Sequence, residues 1–215
     1  MSNKIKAARI CCFTLGTALL LSALFLVLYN VTEDRKGGKQ AENVLSELKN
    51  EIPEYVTPEE TMPLAEEYDL FAEYEEPTIP EMETIEIDGN VYIGYISIPK
   101  LSIELPVLSE WSYPNLKIAP CRYVGNLNED NLIICAHNYQ THFGRINELD
   151  SEDEIIFTDV NGKKYEFFVT SIEQYLGTAV EDLKFGDADN WELSLFTCTL
   201  DGRSRVTVRA VRKEE

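Results

Sequence analysis

Residues 191–211 read WELSLFTCTLDGRSRVTVRAV, two segments in which apolar and polar residues alternate on either side of a short turn. Alternation with a period of two predicts β-strands, and the Asp201-Gly202 pair between the segments predicts a tight turn. Cys198 lies where the first strand ends, and Arg205 opens the last strand seven residues later. A cysteine at the exit of a strand is expected near the rim of a sheet, where solvent and substrate have access.

Short β-type segments continue back to residue 91, and they indicate the fold class. They occupy residues 91–98, 101–105, 131–136, 155–159 and 164–169. Asn161-Gly162, between the last two segments, predicts a hairpin with a type I′ turn. Seven or eight short strands with little helix, in about 130 residues, predict a mainly β domain that is a closed barrel or a sandwich. Two longer connections, around 110–120 and 175–190, have room for short helices.

The N-terminal part of the chain predicts a membrane anchor. Residues 10–29 are 20 residues without a charge, and a helix of this length spans about 30 Å, the thickness of a bilayer's hydrocarbon core. Lys4, Lys6 and Arg9 precede this segment, so the positive-inside rule places residues 1–9 in the cytoplasm and the rest of the chain outside. A cleaved signal peptide is the alternative, but its apolar stretch is shorter and ends in small residues, whereas this one ends in Leu-Val-Leu-Tyr.

Residues 30–83 differ from both neighbouring regions in charge. From residue 30 to residue 88 the chain has 18 acidic residues, 4 basic residues and five prolines. Low hydrophobicity with high net charge predicts a disordered acidic stalk. One helical patch is expected over Ala41–Leu48, where Val44, Leu45 and Leu48 share a face. The folded β domain is expected to follow over residues 84–215. The formal net charge of −19 argues against a nucleic-acid partner, because phosphate binding needs a basic face.

Three residues are candidates for chemistry at one end of the predicted barrel. Cys198 is the candidate nucleophile, His137 follows the apolar strand 131–136, and Arg205 opens the last strand. A reactive thiolate needs a nearby cation, and a Cys–His–Arg cluster would supply a nucleophile, an acid–base group and an oxyanion partner. Each residue also has a purely structural interpretation. Cys198 could be a buried thiol, His137 a core histidine, and Arg205 a solvated charge at a strand end. The residues alone leave both interpretations open.

Longer motifs around these residues resemble those of one family. Leu195-Phe-Thr-Cys198, followed by Arg205, resembles the TLxTC…R signature of the sortases, which are membrane-anchored cysteine transpeptidases of Gram-positive bacteria. Ala136-His137 is similar to their small-residue–His motif, and ISIPKLSIELPV at 96–107 is similar to their opening strand pair. The resemblance covers nearly all of residues 91–211, in the right order and behind the expected anchor, which makes it specific. It implies the closed eight-stranded sortase β-barrel.

The resemblance also implies an activity and its partners. Cys198 would attack the Thr–Gly carbonyl of an LPxTG-like sorting signal and form a thioester, with His137 as the acid–base group and Arg205 hydrogen-bonded to the substrate backbone or the oxyanion. The implied partners are surface proteins with such a C-terminal signal and an amine of the cell wall or its precursor, and no cofactor or metal is implied. Ser194 stands where the family usually has threonine, and the stalk contains no Asp-Pro-aromatic lid. The class stays open between B-like and D-like.

Other assignments of these residues are open at the level of the sequence. Arg203 is the alternative arginine, and His142 is the alternative base. Cys121 and Cys135 could hold zinc together with the two histidines, although the spacing matches no compact zinc site, or they could form a disulfide. Carboxylates that could bind calcium, or could belong to a solvated turn, are Asp150, Glu152, Asp153 and Glu154. The alternative functions are a catalytically inactive membrane-anchored binding barrel and a cysteine peptidase that hydrolyses its substrate.

Overall fold

The predicted strands pair into a closed β-barrel in the computed structural model, which describes residues 2–55, 80–179 and 191–213. The described residues contain the strands β1 (Ile85–Ile87), β2 (Asn90–Ile98), β3 (Ile103–Leu108), β4 (Cys121–Val124), β5 (Leu132–Ala136), β6 (Glu154–Asp159), β7 (Lys164–Leu176), β8 (Leu193–Cys198) and β9 (Ser204–Arg212). Eight of them close the barrel in the order β2-β3-β4-β5-β8-β9-β7-β6, with β6 paired back onto β2, and β1 adds to the start of β2. The mainly β, eight-stranded closed barrel is therefore confirmed.

Helical structure is short within the barrel domain and long before it. The helix α1 (Ser2–Glu51) precedes the barrel, and α2 (Tyr113–Leu116) lies in the connection 110–120, as the sequence predicts. The side chain of Ser112 caps α2 by accepting a hydrogen bond from the backbone N–H of Asn115 (3.1 Å). Single 3₁₀ turns cover Pro99–Leu101, Leu127–Glu129 and Ile146–Glu148. In the other connection with room for a helix, β7 runs on to Leu176, and residues 180–190 lie outside the described part of the chain.

The strand β5 shows how the core is organised. Leu132, Ile134 and Ala136 belong to the cluster that fills the barrel, whereas Ile133 and Cys135 belong to a second cluster on the outer face. The outer pair is buried too, in a cluster that also contains Leu108, Ala119 and Phe196 together with Val44 and Leu48 of α1. A strand buried on both faces has a continuous apolar sequence, which accounts for the run LIICA.

The helix α1 corrects one prediction. It continues beyond the apolar segment to Glu51, so the disorder predicted from residue 30 is wrong for residues 30–51. The helical patch over Ala41–Leu48 is confirmed. Its buried side chains follow the i, i+3, i+4, i+7 spacing of one helix face and are Ala41, Val44, Leu45 and Leu48. Burial of this face against the barrel offsets a composition that otherwise favours disorder, and residues 56–79 of the predicted stalk lie outside the described residues.

The β6–β7 hairpin forms at the predicted place but with a different turn. Only Gly162 has a positive φ (+80°), whereas a type I′ turn needs positive φ at both central residues. The N–H of Gly162 donates to the carbonyl of Asp159 (3.1 Å), and the N–H of Asp159 donates to the carbonyl of Lys163 (3.0 Å). These bonds define a three-residue loop that ends in a left-handed glycine. The Asp159 carboxylate also accepts hydrogen bonds from the backbone of Asn161 and Lys163, at 2.9 Å each.

Closure of the barrel between β2 and β6 depends on Gly94. Its φ of +140° is a conformation that side-chain-bearing residues rarely adopt. A Cβ atom at this position would lie 2.0 Å from the carbonyl oxygen of Thr158 on β6. Glycine is therefore what allows the two backbones to approach and pair.

Candidate active site

Three strands that lie side by side end at the candidate nucleophile. β5 and β8 are parallel, with Ala136 opposite Thr197. His137 therefore leaves β5 beside Cys198, the last residue of β8. On the other side, β9 is antiparallel to β8, with Arg205 directly opposite Cys198. Neighbouring strands lie about 4.8 Å apart, so the fold brings the three predicted site residues together at one end of the barrel.

A cavity of about 240 Å³ is lined by all three residues. One wall of it is aromatic: the ring centroids of Trp111 and Tyr123 are 5.6 Å apart, and Tyr123 meets Phe196 edge-on at 5.2 Å. An apolar wall that faces a few polar groups is typical of a pocket that binds an apolar side chain in one orientation. We call this space the aromatic cavity.

Cys198 differs from the other two barrel thiols in its exposure. Cys121 and Cys135 are buried, whereas Cys198 is partly exposed. Burial raises the pKa of Cys121 to about 12 and also raises the pKa of Cys135. All three thiols are free, so the disulfide considered between Cys121 and Cys135 is not formed, although the two residues are opposite each other on β4 and β5. A nucleophilic thiol must be accessible to substrate, which favours Cys198 over the other two.

The ring of His137 is held by stacking. Its centroid lies 4.8 Å from that of Tyr139, with 31° between the ring planes. Burial lowers the pKa of His137 below its ordinary value, and the positive charge of Lys117 lowers this pKa further. The imidazole is therefore favoured in its neutral form, which can accept a proton.

The second histidine has a structural role. His142 is fully buried, does not line the aromatic cavity, and has no hydrogen-bond partner for either ring nitrogen among the described residues. Burial lowers the pKa of His142 to about 4, although the nearby backbone of Gly37 acts in the opposite direction. Its ring centroid lies 5.3 Å from that of Tyr139, so His142 supports the ring that stacks on His137.

The loop 137–144, which carries His137, is hydrogen-bonded to α1. The carboxylate of Asp34 accepts hydrogen bonds from the backbone N–H groups of Gln140 and Thr141, at 3.2 Å each. The hydroxyl of Thr141 donates a further bond to this carboxylate, at 2.6 Å. Charge-assisted hydrogen bonds of this kind are stronger than neutral ones, so α1 contributes to the conformation of the loop.

Two glycines of α1 allow this close approach. A Cβ atom at Gly37 would lie 3.2 Å from the ring of Tyr139, and one at Gly38 would lie 2.8 Å from the side chain of Thr141. Glycine inside a helix costs about 1 kcal/mol relative to alanine. The contact with the loop is what offsets this cost at both positions.

Arg205, and not Arg203, reaches the aromatic cavity. The Nη1 of Arg205 donates to the carbonyl oxygens of Gly202 (3.2 Å) and Ser204 (3.0 Å). Its Nε and Nη2 make no hydrogen bond to a described residue and are therefore free to bind a ligand. Arg203 is exposed in the turn, where its backbone N–H donates to Asp201 (3.1 Å).

The sequence of the barrel matches a known family. Residues 96–213, more than half of the chain, match the family model described as the sortase domain. The chain belongs to the sortase family. It is 28% identical over 165 residues to sortase A of Bacillus anthracis, and the alignment covers 74% of this chain and 73% of that one. Membership supports a transpeptidase activity for this sortase at the level of the family.

Solved structures of other sortases share the fold. Sortase A from Corynebacterium diphtheriae has a TM-score of 0.50 at 21% identity and matches over 59% of this chain and 62% of that one, less than two thirds of its length. The sortase D5 transpeptidase of Clostridium perfringens has a TM-score of 0.51 at 20% identity, covering 57% of this chain and 79% of that one. Sortase C2 of pilus island 1 from group B Streptococcus has a TM-score of 0.50 at 20% identity, covering 60% and 77%. At these identities the similarity establishes the fold.

The metal ligands considered from the sequence are not grouped in this sortase. Two of the four carboxylates considered for calcium, Asp150 and Asp153, each lie 2.6 Å from the ammonium group of Lys100. In the described parts of the chain, no three His, Cys, Asp or Glu side chains lie close enough together to hold a metal ion. The geometry therefore supports neither the zinc nor the calcium interpretation.

Parts of the site lie outside what sequence reasoning identified. Trp111 and Tyr123 form the aromatic wall with Phe196, and Asp34 and Lys117 act on the loop and on the pKa of His137. The available signals were weak. They were an aromatic-rich WSYP run at 111–114 and a pair of adjacent glycines inside a helix.

Proposed function

We propose that this sortase is a cysteine transpeptidase that cleaves an LPxTG-like sorting signal through a thioester on Cys198 and transfers the protein to a cell-wall amine. The observation that carries the proposal is that Cys198, His137 and Arg205 line one cavity at the ends of three adjacent strands. The aromatic wall of the same cavity is suited to the apolar side chains of such a signal.

In the first half-reaction, the sulfur of Cys198 forms a bond with the carbonyl carbon of the Thr–Gly peptide. His137 accepts the thiol proton and passes it to the departing amine as the C–N bond breaks. Arg205 donates hydrogen bonds from its unoccupied Nε and Nη2 to the carbonyl oxygen, on which negative charge develops.

In the second half-reaction, an amine nitrogen attacks the thioester carbon. The C–S bond breaks and its electron pair returns to sulfur, while His137 accepts the proton of the amine and passes it to the sulfur, which regenerates the thiol of Cys198. The lowered pKa of His137 favours the neutral imidazole that this proton transfer needs. An amine competes with water only where access of water is restricted, and the aromatic wall covers one side of Cys198.

We place the catalytic domain outside the cell, on a single membrane-spanning helix with a cytoplasmic N-terminus. α1 contains a segment long and apolar enough to cross a membrane, by length and composition, near the N-terminus. Lys4, Lys6 and Arg9 on the N-terminal side of this segment favour the cytoplasm for that end. The partners are then surface proteins with a C-terminal sorting signal and an amine of the cell wall or its precursor.

Peptide cleavage by the full-length protein in detergent micelles tests the proposal. A fluorogenic peptide library that varies the residues around the threonine is incubated with and without an added amine, and products are identified by mass. We expect cleavage by the wild type and an amide product when the amine is present. Cys198→Ala should abolish cleavage, and His137→Ala and Arg205→Ala should each lower kcat/KM by roughly 100-fold.

Matched variants and the product ratio separate the alternatives. Cys121→Ala removes a buried thiol and Arg203→Ala removes an exposed arginine, and both are expected to retain cleavage. Hydrolysis without any amine-dependent product would assign a hydrolytic peptidase instead. If the folded wild type cleaved no member of the library, the result would support the alternative function, a catalytically inactive membrane-anchored binding barrel.

A further inference from the structure

A second cavity, of about 490 Å³, opens where β3 and β4 separate. Among the described residues, these two strands pair at one position, Leu108 with Cys121, and the segments that follow this pair diverge. Residues 109–111 form one side of the resulting gap, and residues 122–126 form the other. We call this space the β3–β4 cavity.

The β3–β4 cavity adjoins the aromatic cavity of the candidate active site. Trp111 and Tyr123 line both spaces. Their ring centroids are 5.6 Å apart, so this pair of rings is a common boundary of the two cavities. A peptide that fills the aromatic cavity can therefore continue across the two rings into the β3–β4 cavity.

The length of the aromatic wall matches the length of a sorting motif. Phe196 lies two residues before Cys198 on β8, so the two side chains share a face and lie about 7 Å apart along the strand. Tyr123 meets Phe196 at 5.2 Å, and Trp111 lies 5.6 Å from Tyr123. The path from the sulfur to Trp111 is thus on the order of 15 Å, and the four residues from leucine to threonine of an LPxTG-like motif span about 13 Å when extended. The residue that precedes the motif then reaches the β3–β4 cavity.

The β3–β4 cavity has an excess of negative charge. Its described lining contains three carboxylates and one guanidinium, which belong to Glu81, Glu110, Glu129 and Arg122. The Nε of Arg122 donates to the carbonyl oxygen of Ser109 (2.9 Å), and the Nη1 of Arg122 lies 4.0 Å from the carboxylate of Glu81. Glu110 is exposed, and its carboxylate makes no hydrogen bond to a described residue. A cavity with this balance of charge attracts a cationic side chain.

We infer that the β3–β4 cavity binds the segment of the substrate that precedes the sorting motif, and that it selects a lysine or an arginine in this segment. The inference rests on the proposed function, because the motif occupies the aromatic cavity only if Cys198 attacks a sorting signal. It goes further by making residues outside the motif part of substrate recognition, and by assigning them a site and a charge.

The shared rings have a second effect on such a segment. A long basic side chain packs its apolar stem along an aromatic ring and keeps its charged end in water or near a carboxylate. Trp111 and Tyr123 offer the rings, and Glu110, the residue before Trp111, offers the carboxylate. The same two rings therefore contact the motif on one side and the basic residue on the other.

Cleavage kinetics of the full-length protein in micelles test the inference with three peptides that share the best-cleaved motif of the library. One peptide starts at the motif with an acetyl group, one has two lysines before the motif, and one has two glutamates there. We expect the wild type to have a KM for the lysine peptide roughly ten-fold below that for the glutamate peptide, with similar kcat. In Glu110→Lys this difference should shrink to about two-fold or less, while kcat/KM for the acetylated motif stays within about two-fold of wild type.

A second cavity variant and a matched control complete the test. Glu129→Gln removes another carboxylate of the β3–β4 cavity and should raise the KM for the lysine peptide roughly three-fold. Glu86→Lys makes the same charge reversal as Glu110→Lys at an exposed acid on β1 that lines neither cavity, and it should keep the wild-type difference between the peptides.

The outcomes separate this inference from the proposed function. Three results would each overturn the inference and leave the proposed function standing: an equal KM for the lysine and glutamate peptides in the wild type, an unchanged difference in both cavity variants, or an equal loss of the difference in Glu86→Lys. If the folded wild type cleaved none of the three peptides and no member of the library, both would be overturned.

Discussion

The carboxylate of Asp34 binds both the backbone N–H and the hydroxyl of Thr141, at 3.2 and 2.6 Å. Asp34 lies on α1, shortly after the apolar segment, and Thr141 lies four residues after His137. The helix that precedes the barrel is thus joined directly to the loop that carries the proposed acid–base group. Residues assigned by composition to a stalk are in this way packed against the barrel domain.

Removal of the Asp34 carboxylate is expected to impair catalysis without changing the nucleophile. Asp34→Ala leaves the backbone N–H groups of Gln140 and Thr141 without their partner, whereas the hydroxyl of Thr141 keeps the backbone carbonyl of residue 34 (3.1 Å). The loss should cost about 1–3 kcal/mol of stability. We expect kcat for peptide cleavage to fall roughly ten-fold, with a smaller change in KM. Glu42→Ala is the control, because Glu42 is an exposed acid on the same helix. Equal kinetics for the two variants would contradict this role of Asp34.

Thiol labelling should distinguish Cys198 from the other cysteines of the barrel. Iodoacetamide reacts with accessible thiolate, and burial raises the pKa of Cys121 to about 12. We expect one fast-labelled site in the barrel, located by peptide mass mapping at Cys198, and labelling of Cys121 and Cys135 only after unfolding in urea. The fast site should be absent in Cys198→Ala and present in Cys121→Ala. Labelling of all three cysteines at similar rates would refute the difference in accessibility.

The charge of Lys117 should be visible in the titration of His137. Since a nearby positive charge disfavours the imidazolium form, Lys117→Gln is expected to raise the pKa of His137. The acidic limb of the kcat/KM profile should then move to higher pH. NMR titration of the His137 ring protons in the variant and in the wild type measures this directly. A pKa that stays unchanged or falls would exclude the assigned electrostatic effect.

Burial of His142 should make the fold acid-sensitive. Its pKa is about 4 in the folded protein against an ordinary value of 6.5, so the unfolded state binds a proton more readily between these values. Above pH 6.5, His142 is neutral in both the folded and the unfolded state. As the pH falls from 6.5 towards 4, protonation of His142 in the unfolded state lowers the free energy of unfolding by about 3 kcal/mol. Urea unfolding of wild type and His142→Phe at pH 7 and pH 4.5 measures the difference. Equal losses of stability in the two proteins would show that His142 is not responsible.

Local patterns were sufficient to place the candidate residues at strand ends. Alternation and turn residues are properties of a few neighbouring positions, so they located Cys198 and Arg205 on either side of a turn and His137 after an apolar strand. They could not predict that β5 runs parallel to β8. Pairing between strands that are far apart in the chain depends on closure of the whole barrel. Closure in turn depends on close backbone contacts between strands, such as that of Gly94 on β2 with Thr158 on β6.

The course of α1 was not predictable for a different reason. Two adjacent glycines and many acids are typical of a chain without regular structure, and each glycine costs about 1 kcal/mol in a helix. The compensating contacts are tertiary: the ring of Tyr139 over Gly37, the side chain of Thr141 over Gly38, and a barrel face that buries Leu48. No property of residues 30–51 alone contains that information.

Under the proposed membrane topology, the continuous helix α1 is a rigid connection between the lipid bilayer and the barrel. Asp34 follows Tyr29, the end of the apolar segment, by five residues, which is about 7.5 Å of helix. Lys49, near the C-terminal end of α1, forms an ion pair of 2.5 Å with Glu104 of the barrel. Together with the hydrogen bonds of Asp34, this ion pair fixes α1 to the barrel at two points. Under the proposed membrane topology, the loop that carries His137 is held near the outer edge of the headgroup layer, which is about 5–7.5 Å thick on each side of the hydrocarbon core. A substrate that is still embedded in the same bilayer would then have to expose its scissile bond close to the membrane surface.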